Sequence, residues 1–219
     1  MDLYHVLNRG VEKRDIVLND GDRQRFVRSL YVFNDSHSVP NGITQKGYWE
    51  DMARKRDCLV NIHSWCLMDN HYHLLVSPVN DDLARLSLFM KKLNMGYAKF
   101  FNEKYDRSGY LWQGRYKKIA VERDAHFLYL PYYIHLNPLD YKYPEWRSGN
   151  VTDFNAAIAT LKGYRWSSYF DYSGTKNFPS LINKSVLGEI LGSEVKQSQT
   201  IKQIVADQTL AAASERFEL

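Results

Sequence analysis

The sequence has little of what secreted and membrane proteins need. Only two of its 219 residues are cysteines, Cys58 and Cys66, and they do not form a CxxC pair. Since no signal peptide is recognisable either, a reducing cytoplasm fits better than secretion. No apolar run approaches the roughly 20 residues that cross a bilayer, so we expect no membrane partner.

Charge of either sign is also not in large excess. Lys and Arg exceed Asp and Glu by 29 to 25, which gives a formal net charge of +4 and a pI near 8.9. This balance permits a nucleic-acid partner but is too mild to require one. Aromatic residues are plentiful instead, at 14% with sixteen tyrosines, and they can stack on unpaired bases. We expect packing to be the role of most of them.

The motif Asn70-His71-Tyr72-His73 interrupts an otherwise apolar stretch, residues 60–76. Successive side chains on a strand alternate between its two faces, so His71 and His73 lie on one face and Tyr72 on the other. Neutral imidazole is a ready ligand for divalent ions, and a strand fixes its direction. The pattern predicts half of a metal site or, equally, two polar residues on a solvated face.

The segment that ends at Pro138 is predicted to be a helix. Asp124 is suited to cap its N-terminus, Pro138 to end it and Pro131 to kink it. Side chains four residues apart are neighbours on a helix, so Tyr133 and Asn137 project from one face near its end. The helix therefore presents a phenol and an amide oxygen as a pair.

Four stretches of the chain, in this order, resemble the HUH endonucleases, specifically the small single-tyrosine transposases and their REP-associated tyrosine transposase (RAYT) relatives. The stretches are Tyr4-His5-Val6-Leu7-Asn8-Arg9-Gly10, Trp65-Cys66-Leu67-Met68-Asp69-Asn70-His71-Tyr72-His73-Leu74-Leu75-Val76, Gly109-Tyr110-Leu111-Trp112-Gln113-Gly114-Arg115-Tyr116-Lys117 and Tyr133-Ile134-His135-Leu136-Asn137-Pro138. Four blocks in one order are far more specific than two histidines alone. The resemblance covers residues 3–172.

This resemblance implies both a site and a chemistry. In that family two histidines bind a divalent metal ion, a helix tyrosine is the nucleophile, and an amide one turn later completes the metal site. By this resemblance the metal ligands are His71, His73 and Asn137, and the nucleophile is Tyr133. The expected product is a 5′-phosphotyrosine link with a free 3′-OH. Mixed nitrogen and oxygen ligands suit Mn²⁺ and also permit Mg²⁺.

The predicted elements alternate in the order βαββαβα, which indicates an α+β fold with helices packed on an antiparallel sheet. The resemblance implies a ferredoxin-like or RRM-like core. The predicted strands are 3–8, 59–67, 71–77 and 116–121, the predicted helices before the tyrosine helix are 20–34 and 81–103, and 141–150 is predicted to be a loop. We expect a transposase domain over residues 1–172, with an insertion at 35–57, and a C-terminal helical tail over 173–219. The insertion is either a solvated or a DNA-contacting loop.

Basic and amide side chains near the first strand and around Trp112 are the candidates for DNA contact. They are Arg9, Arg14, Gln113, Arg115 and Lys117. A segment that combines aromatic rings with cations can bind a strand or a hairpin stem. A buried, hydrogen-bonded corner is an equally good interpretation of Trp112 and Gln113.

Neighbouring residues compete for roles in this site. Tyr132 is the rival nucleophile, but only Tyr133 matches the family register. His135 points away from Tyr133 on a helix, so we expect it to be structural. We also expect His63, on the second predicted strand, to be structural. The alternative is that its side chain faces the metal site. Tyr129, one turn before Tyr133, is expected to pack beside it.

Two functions follow from these patterns. The first is a metal-dependent single-strand DNA endonuclease and strand transferase that cleaves beside hairpins, for transposition or for processing repetitive palindromic elements in the bacterial cytoplasm, associated with the nucleoid. The alternative is a domesticated hairpin-binding regulator without significant cleavage. Retention of the histidines, the tyrosine and the amide favours the enzyme, because binding alone needs none of them. A homodimer and a monomer are both consistent with the sequence.

Overall fold

A computed structural model describes residues 1–37, 56–122 and 125–208. Within these residues one antiparallel sheet is formed by β1 (Tyr4–Arg9), β2 (Val60–Leu67), β3 (His71–Pro78) and β4 (Lys117–Ala120). The order across the sheet is β2-β3-β1-β4, so β3 and β1 lie at its centre. The predicted α+β class, the antiparallel sheet and the order of elements are confirmed.

Helices pack on both faces of this sheet. In the described ranges the α-helices are α1 (Asp20–Val32), α2 (Leu83–Lys104), α3 (Ala125–Leu136), α4 (Phe154–Gly163), α5 (Tyr169–Tyr172), α6 (Gly188–Leu191) and α7 (Glu194–Ala206). Asn19 and Asp82 cap α1 and α2, because each side chain accepts a hydrogen bond from a first-turn N–H that the helix leaves unpaired. No helix in this part of the chain is long and apolar enough to cross a membrane.

The apolar stripe predicted on the long helix is the face of α2 that packs on the sheet. Its buried members include Leu86, Met90, Leu93, Tyr97 and Phe101. Their helical spacing places them on one side of the helix. Leu83, which was also expected in the stripe, is exposed because it is the first residue of the helix.

Alternation along β3 sends neighbouring side chains into two different cores. Tyr72 packs toward α1 and α2 and contacts the Phe26 ring. On the opposite face the ring of His73 meets Tyr133 of α3 edge-on, and His71 shares that face. The α3 helix therefore lies over the histidine face of the sheet.

The chain beyond α3 packs on this same face. Trp146, which follows α3, belongs to one apolar cluster with Tyr133. Ile201 of α7 belongs to the same cluster. Ser168, just before α5, accepts a hydrogen bond from the backbone N–H of Trp65 in β2 at 2.9 Å. Helices α6 and α7 fall within the predicted C-terminal tail, which the structure describes up to residue 208, and they contribute to the core that contains α3.

Two predicted local features differ from the structure. Residues 141–150 were expected to be a loop, but two 3-10 helices, Asn137–Tyr141 and Pro144–Ser148, occupy most of this region. Each has a proline at its start, where the fixed φ suits a helical turn and the missing N–H is not needed. The tyrosine helix was also expected to include Asn137, but α3, which contains Pro131, ends at Leu136, and Asn137 begins the 3-10 helix that follows it.

The predicted Asp124 cap and most of the 35–57 insertion lie outside the described residues. One basic residue of the insertion, Arg56, is described and packs on the core. Its guanidinium lies 3.8 Å from the centroid of the Tyr31 ring and donates to the backbone oxygens of Tyr31 and Asn34. Arg56 is therefore engaged within the protein.

Candidate active site

Two imidazoles and a phenol meet between β3 and α3. The ring centroids of His71 and His73 are 5.0 Å apart, with the ring planes nearly perpendicular. His73 is buried, and its ring centroid lies 5.5 Å from that of Tyr133. His71 is partly exposed. This ring therefore forms the border between the cluster and solvent.

Both histidines are held in the neutral form. Burial lowers the pKa of His71 to about 4 and that of His73 well below its usual value, because the charged ring loses its hydration. The nearby Arg9 cation lowers the pKa of His71 further, whereas the Asn137 amide opposes the shift. Neutral imidazole carries the lone pair that a metal ion needs. At neutral pH both rings are therefore able to ligate.

In each ring one nitrogen is engaged by a neighbouring side chain. The Nδ1 atom of His71 lies 2.6 Å from Oδ1 of Asn70. The Nδ1 atom of His73 lies 2.9 Å from Nε2 of His5, on β1. The Nε2 atoms of His71 and His73 are therefore the candidates for metal ligation.

The two adjacent tyrosines of α3 have different surroundings. Tyr133 is fully buried against His73, and Tyr129 packs beside it as predicted. Tyr132 instead forms a side-chain hydrogen bond with Thr200 of α7. Of the two candidates for the nucleophile, Tyr133 is the one that lies against the histidine pair.

Asn137 reaches the cluster from the residue just beyond α3. Its amide nitrogen donates to the backbone oxygen of Tyr133 at 2.8 Å, which orients the buried amide group. The amide oxygen accepts a hydrogen bond from Arg147 at 3.3 Å, and the side chain also interacts with His71. The structure thus brings together the four residues predicted for metal binding and nucleophilic attack.

Arg147 adds a cation that the sequence analysis did not single out. Its guanidinium carbon lies 5.6 Å from the centroid of the Tyr133 ring. Asp140 holds it in a bidentate pair, accepting from Nε at 2.8 Å and from Nη2 at 2.6 Å. The signal for it in the sequence is weak, a single arginine in a segment predicted to be a loop.

The donor set fits a divalent metal ion. Two neutral imidazole nitrogens and one buried amide oxygen form a mixed set of the kind that suits Mn²⁺ and permits Mg²⁺. Across the described ranges, no group of three His, Cys, Asp or Glu side chains is placed to hold a metal ion. A site here therefore depends on the Asn137 oxygen. Arg147 donates to the same oxygen, so its positive charge lies next to any metal ion bound there and disfavours that binding.

The predicted DNA-contacting residues surround the end of β1. Arg9 is partly exposed, opposite His71 in the β1–β3 register. The backbone N–H of Gln113 donates to the carbonyl of Arg9 at 2.9 Å, which places this block beside the strand end. The remaining candidate side chains are exposed, and they are Arg14, Gln113, Arg115 and Lys117.

Trp112 forms a packed corner rather than an open stacking surface. Its indole N–H donates to the backbone oxygen of Asn94 at 2.9 Å, and its ring meets that of Tyr72 edge-on. The corner interpretation is therefore right for Trp112. The adjacent Gln113 side chain is exposed and accessible to a ligand.

His63 and His135 are buried in hydrogen-bond networks with serines. The Nε2 atom of His63 lies 2.9 Å from the Ser77 hydroxyl, and its Nδ1 lies 3.1 Å from the backbone oxygen of Asn183. The Nε2 atom of His135 lies 2.8 Å from the Ser168 hydroxyl and 3.1 Å from that of Ser64. These contacts agree with the structural role predicted for both rings.

Comparison with known proteins points to one family. A sequence model for IS200-like transposases matches residues 5–137, a span that includes the histidine pair, Tyr133 and Asn137. No curated protein sequence matches the chain significantly. Among solved structures, that of a REP-associated tyrosine transposase bound to a REP hairpin has a TM-score of 0.44 and 12% sequence identity, over 84% of this chain and 86% of that one. The family match alone spans more than half of the 219 residues.

Proposed function

Since the chain belongs to the IS200-like transposase family, we propose that it is a metal-dependent single-strand DNA endonuclease and strand transferase. In this proposal it cleaves DNA beside hairpins and stores the broken bond as a 5′-phosphotyrosine link. The observation that carries the proposal is the packing of Tyr133 against His73, in a cluster that also holds His71 and Asn137. Binding alone gives no physical reason for these four side chains to meet.

Each of these side chains has one role in the proposed reaction. The Tyr133 oxygen attacks phosphorus in line, the bond to the 3′ oxygen breaks, and the phenol proton ends on that 3′ oxygen. The Nε2 atoms of His71 and His73 and the Oδ1 atom of Asn137 would hold the metal ion. A divalent ion there supplies charge stabilisation to the phosphate oxygens. Because the tyrosine ester conserves the bond energy, the free 3′-OH can reverse the step without a nucleotide cofactor.

Access of DNA to the phenol requires a local movement. Tyr133 is fully buried, and the side chains of Trp146 and Arg147 lie against its ring. Both belong to the short 3-10 helix Pro144–Ser148. In the proposed reaction this helix moves outward as the strand enters. Arg147, still held by Asp140, then turns from the Asn137 oxygen and offers its remaining N–H groups to the scissile phosphate.

Single-stranded DNA with a hairpin is the proposed partner. Exposed Arg14, Arg115 and Lys117 supply positive charge for phosphates, and Arg9 lies between them and the histidine pair. The substrate class of repetitive palindromes, and the REP-associated type of transposase, rest on the four sequence blocks that resemble those relatives.

One observation favours the alternative, a hairpin-binding regulator that does not cleave. The burial of Tyr133 beneath Trp146 leaves its hydroxyl out of reach of a phosphate in this conformation. A regulator has no use for an accessible nucleophile. The neutral histidine pair and the oriented amide favour the enzyme, because hairpin binding has no need of them.

The experiment that tests the proposal is incubation of the protein with 3′-labelled single strands that carry a hairpin, in the presence of Mn²⁺. We expect a denaturant-stable protein–DNA adduct that EDTA abolishes and excess Mn²⁺ restores. His71→Ala and His73→Ala should each eliminate it, while His63→Ala, which removes a buried imidazole elsewhere, should retain it. Adduct formation at full rate in EDTA would contradict the metal assignment. Tight hairpin binding without any adduct would support the regulator.

A further inference from the structure

We propose that His5 is a positioning residue that fixes which nitrogen of His73 faces the metal ion. The inference rests on the proposed function, in which His73 is a metal ligand. His5 belongs to the first of the four sequence blocks, and the sequence pattern assigned it no role. It acts through His73 and is not itself a ligand.

The geometry of the sheet brings the two rings together. His5 pairs with Leu75 across the β1–β3 ladder and Leu7 pairs with His73, so His5 and His73 are diagonal neighbours on one face. Their ring planes are 15° from parallel, with centroids 5.1 Å apart. Both side chains are fully or almost fully buried between central strands and α3. Neither ring has room to turn without disturbing the core.

The two rings share one hydrogen bond, between Nδ1 of His73 and Nε2 of His5, which are 2.9 Å apart. Of the two possible directions, the one compatible with ligation has the N–H on Nδ1 of His73 and the accepting lone pair on Nε2 of His5. The proton of His5 then lies on its own Nδ1. This arrangement leaves the Nε2 lone pair of His73 for the metal ion.

The other proposed ligand, His71, has an equivalent hydrogen-bond partner at its Nδ1 atom. The Nδ1 atom of His71 lies 2.6 Å from the amide oxygen of Asn70, which can only accept. His71 is thereby set in the same tautomer, with its Nε2 lone pair available. A metal-bound histidine nearly always donates its second N–H to such a partner, and losing that partner weakens metal binding. His5 and Asn70 thus serve the two ligands in parallel.

A neutral acceptor suits this location better than the carboxylate often found in that role. His5 is fully buried, and an ionised group there would lose its hydration. A neutral imidazole avoids this cost and offers an accepting lone pair. The Nε2 lone pair of His5 accepts the hydrogen bond from His73. It is therefore not available to bind the metal ion, and His5 is not a ligand.

The test is Mn²⁺ binding by calorimetry on the DNA-free protein, compared between His5→Leu and His5→Gln. Leucine removes the acceptor, whereas the glutamine amide oxygen reaches about the position of the imidazole Nε2. We expect His5→Leu to weaken Mn²⁺ binding by about 10- to 100-fold and His5→Gln to stay within a few-fold of the wild type. His63→Leu is the matched control, since it removes a buried, hydrogen-bonded imidazole outside the cluster, and it should leave Mn²⁺ affinity unchanged.

Three other outcomes would overturn the inference in distinguishable ways. Equal loss of affinity in His5→Gln and His5→Leu would make His5 a direct ligand instead. Unchanged affinity in both, while His73→Ala abolishes binding, would leave the proposed metal site intact and remove the role of His5. Unchanged affinity in His73→Ala would remove the metal site itself, and the role of His5 with it.

A measurement on the unmodified protein does not depend on the variants folding. Imidazole ¹⁵N NMR identifies which ring nitrogen carries the proton. We expect both His5 and His73 to carry it on Nδ1 in the metal-free protein. A proton on Nε2 of His73 would overturn the inference whatever the variants show.

Discussion

The guanidinium carbon of Arg147 lies 5.6 Å from the centroid of the Tyr133 ring, and its Nη2 donates to the amide oxygen of Asn137 at 3.3 Å. One cation therefore contacts both the proposed nucleophile and a proposed metal ligand. Asp140 holds this arginine by two further hydrogen bonds. The arrangement places a positive charge where negative charge would develop during attack on a phosphate.

This relationship predicts different effects of Arg147 on catalysis and on metal binding. Arg147→Gln removes a charge next to the phosphate, so the rate of adduct formation should fall about 100- to 1000-fold, as when one preorganised donor is lost. Its affinity for Mn²⁺ should not fall, because the arginine competes for the Asn137 oxygen and repels a cation. The measurements are single-turnover adduct formation and Mn²⁺ calorimetry.

A matched control is Arg165→Gln, because Arg165 packs over Trp166 and Phe178 and has no contact with the cluster. Its adduct rate should equal that of the wild type. Arg147→Lys keeps the charge but loses the forked guanidinium. Its adduct rate should lie between the rates of Arg165→Gln and Arg147→Gln. Full activity in Arg147→Gln would show that this cation has no part in the reaction.

The sheet and the histidine pair could be predicted because they follow from local rules. Strand alternation alone places His71 and His73 on one face and Tyr72 on the other, and the structure agrees. Helical spacing likewise placed Asn137 one turn from Tyr133. These inferences depend only on the positions of residues close together in the chain. They can therefore be made without knowledge of the tertiary packing.

Contacts between distant segments could not be predicted in this way. His5 meets His73 only because β1 pairs with β3 in one register, across 68 positions of the chain. Arg147 reaches Tyr133 because two proline-led 3-10 helices fold the chain back on α3. The predicted loop over this region gave no direction for its side chains. The full burial of Tyr133 also depends on packing by Trp146 and the C-terminal helices.

Protein stability should fall as the pH falls below the ordinary histidine range. Burial lowers the pKa of His135 to about 3, against about 6.5 in an unfolded chain. Between these values the unfolded chain binds more protons, so the stabilisation is present above pH 6.5 and is lost progressively toward pH 3. The loss is about 2 kcal/mol for this histidine between pH 6.5 and 5.

Urea unfolding of the metal-free protein at pH 7 and at pH 5 measures this loss. His135→Gln keeps a polar side chain near Ser64 and Ser168 but cannot titrate. Its stability should therefore drop by about 2 kcal/mol less than that of the wild type over this pH interval. An identical drop in both proteins would contradict the assignment of His135 as a buried, neutral group.

Cleavage should be confined to unpaired DNA. In-line attack by Tyr133 requires rotation of the backbone about the phosphate, which a stacked duplex restricts, whereas a single strand beside a hairpin can be bent over the exposed cations. A fully paired duplex of the same sequence should be nearly inert in the adduct assay. Equal cleavage of both substrates would indicate an ordinary metal nuclease.

The same substrates test the exposed cations around β1. Binding should weaken steeply with salt, because each phosphate contact releases counterions. Lys117→Gln and Arg115→Gln should each weaken hairpin binding and reduce the salt slope by about 1. Lys99→Gln, on the exposed side of α2 and paired with Glu103, is the control and should leave the slope unchanged.

If Tyr133 forms the covalent link, Tyr133→Phe and Tyr132→Phe should give opposite results in the adduct assay. Tyr133→Phe removes one hydroxyl and little packing area, so hairpin binding should stay within a few-fold of the wild type while the adduct disappears. The Tyr132→Phe variant should still form the adduct, because the Tyr132 hydroxyl is hydrogen-bonded to Thr200 of α7. Mass spectrometry of the digested wild-type adduct should locate the nucleotide on Tyr133. Loss of the adduct in Tyr132→Phe, with its retention in Tyr133→Phe, would show that Tyr132 is the nucleophile instead.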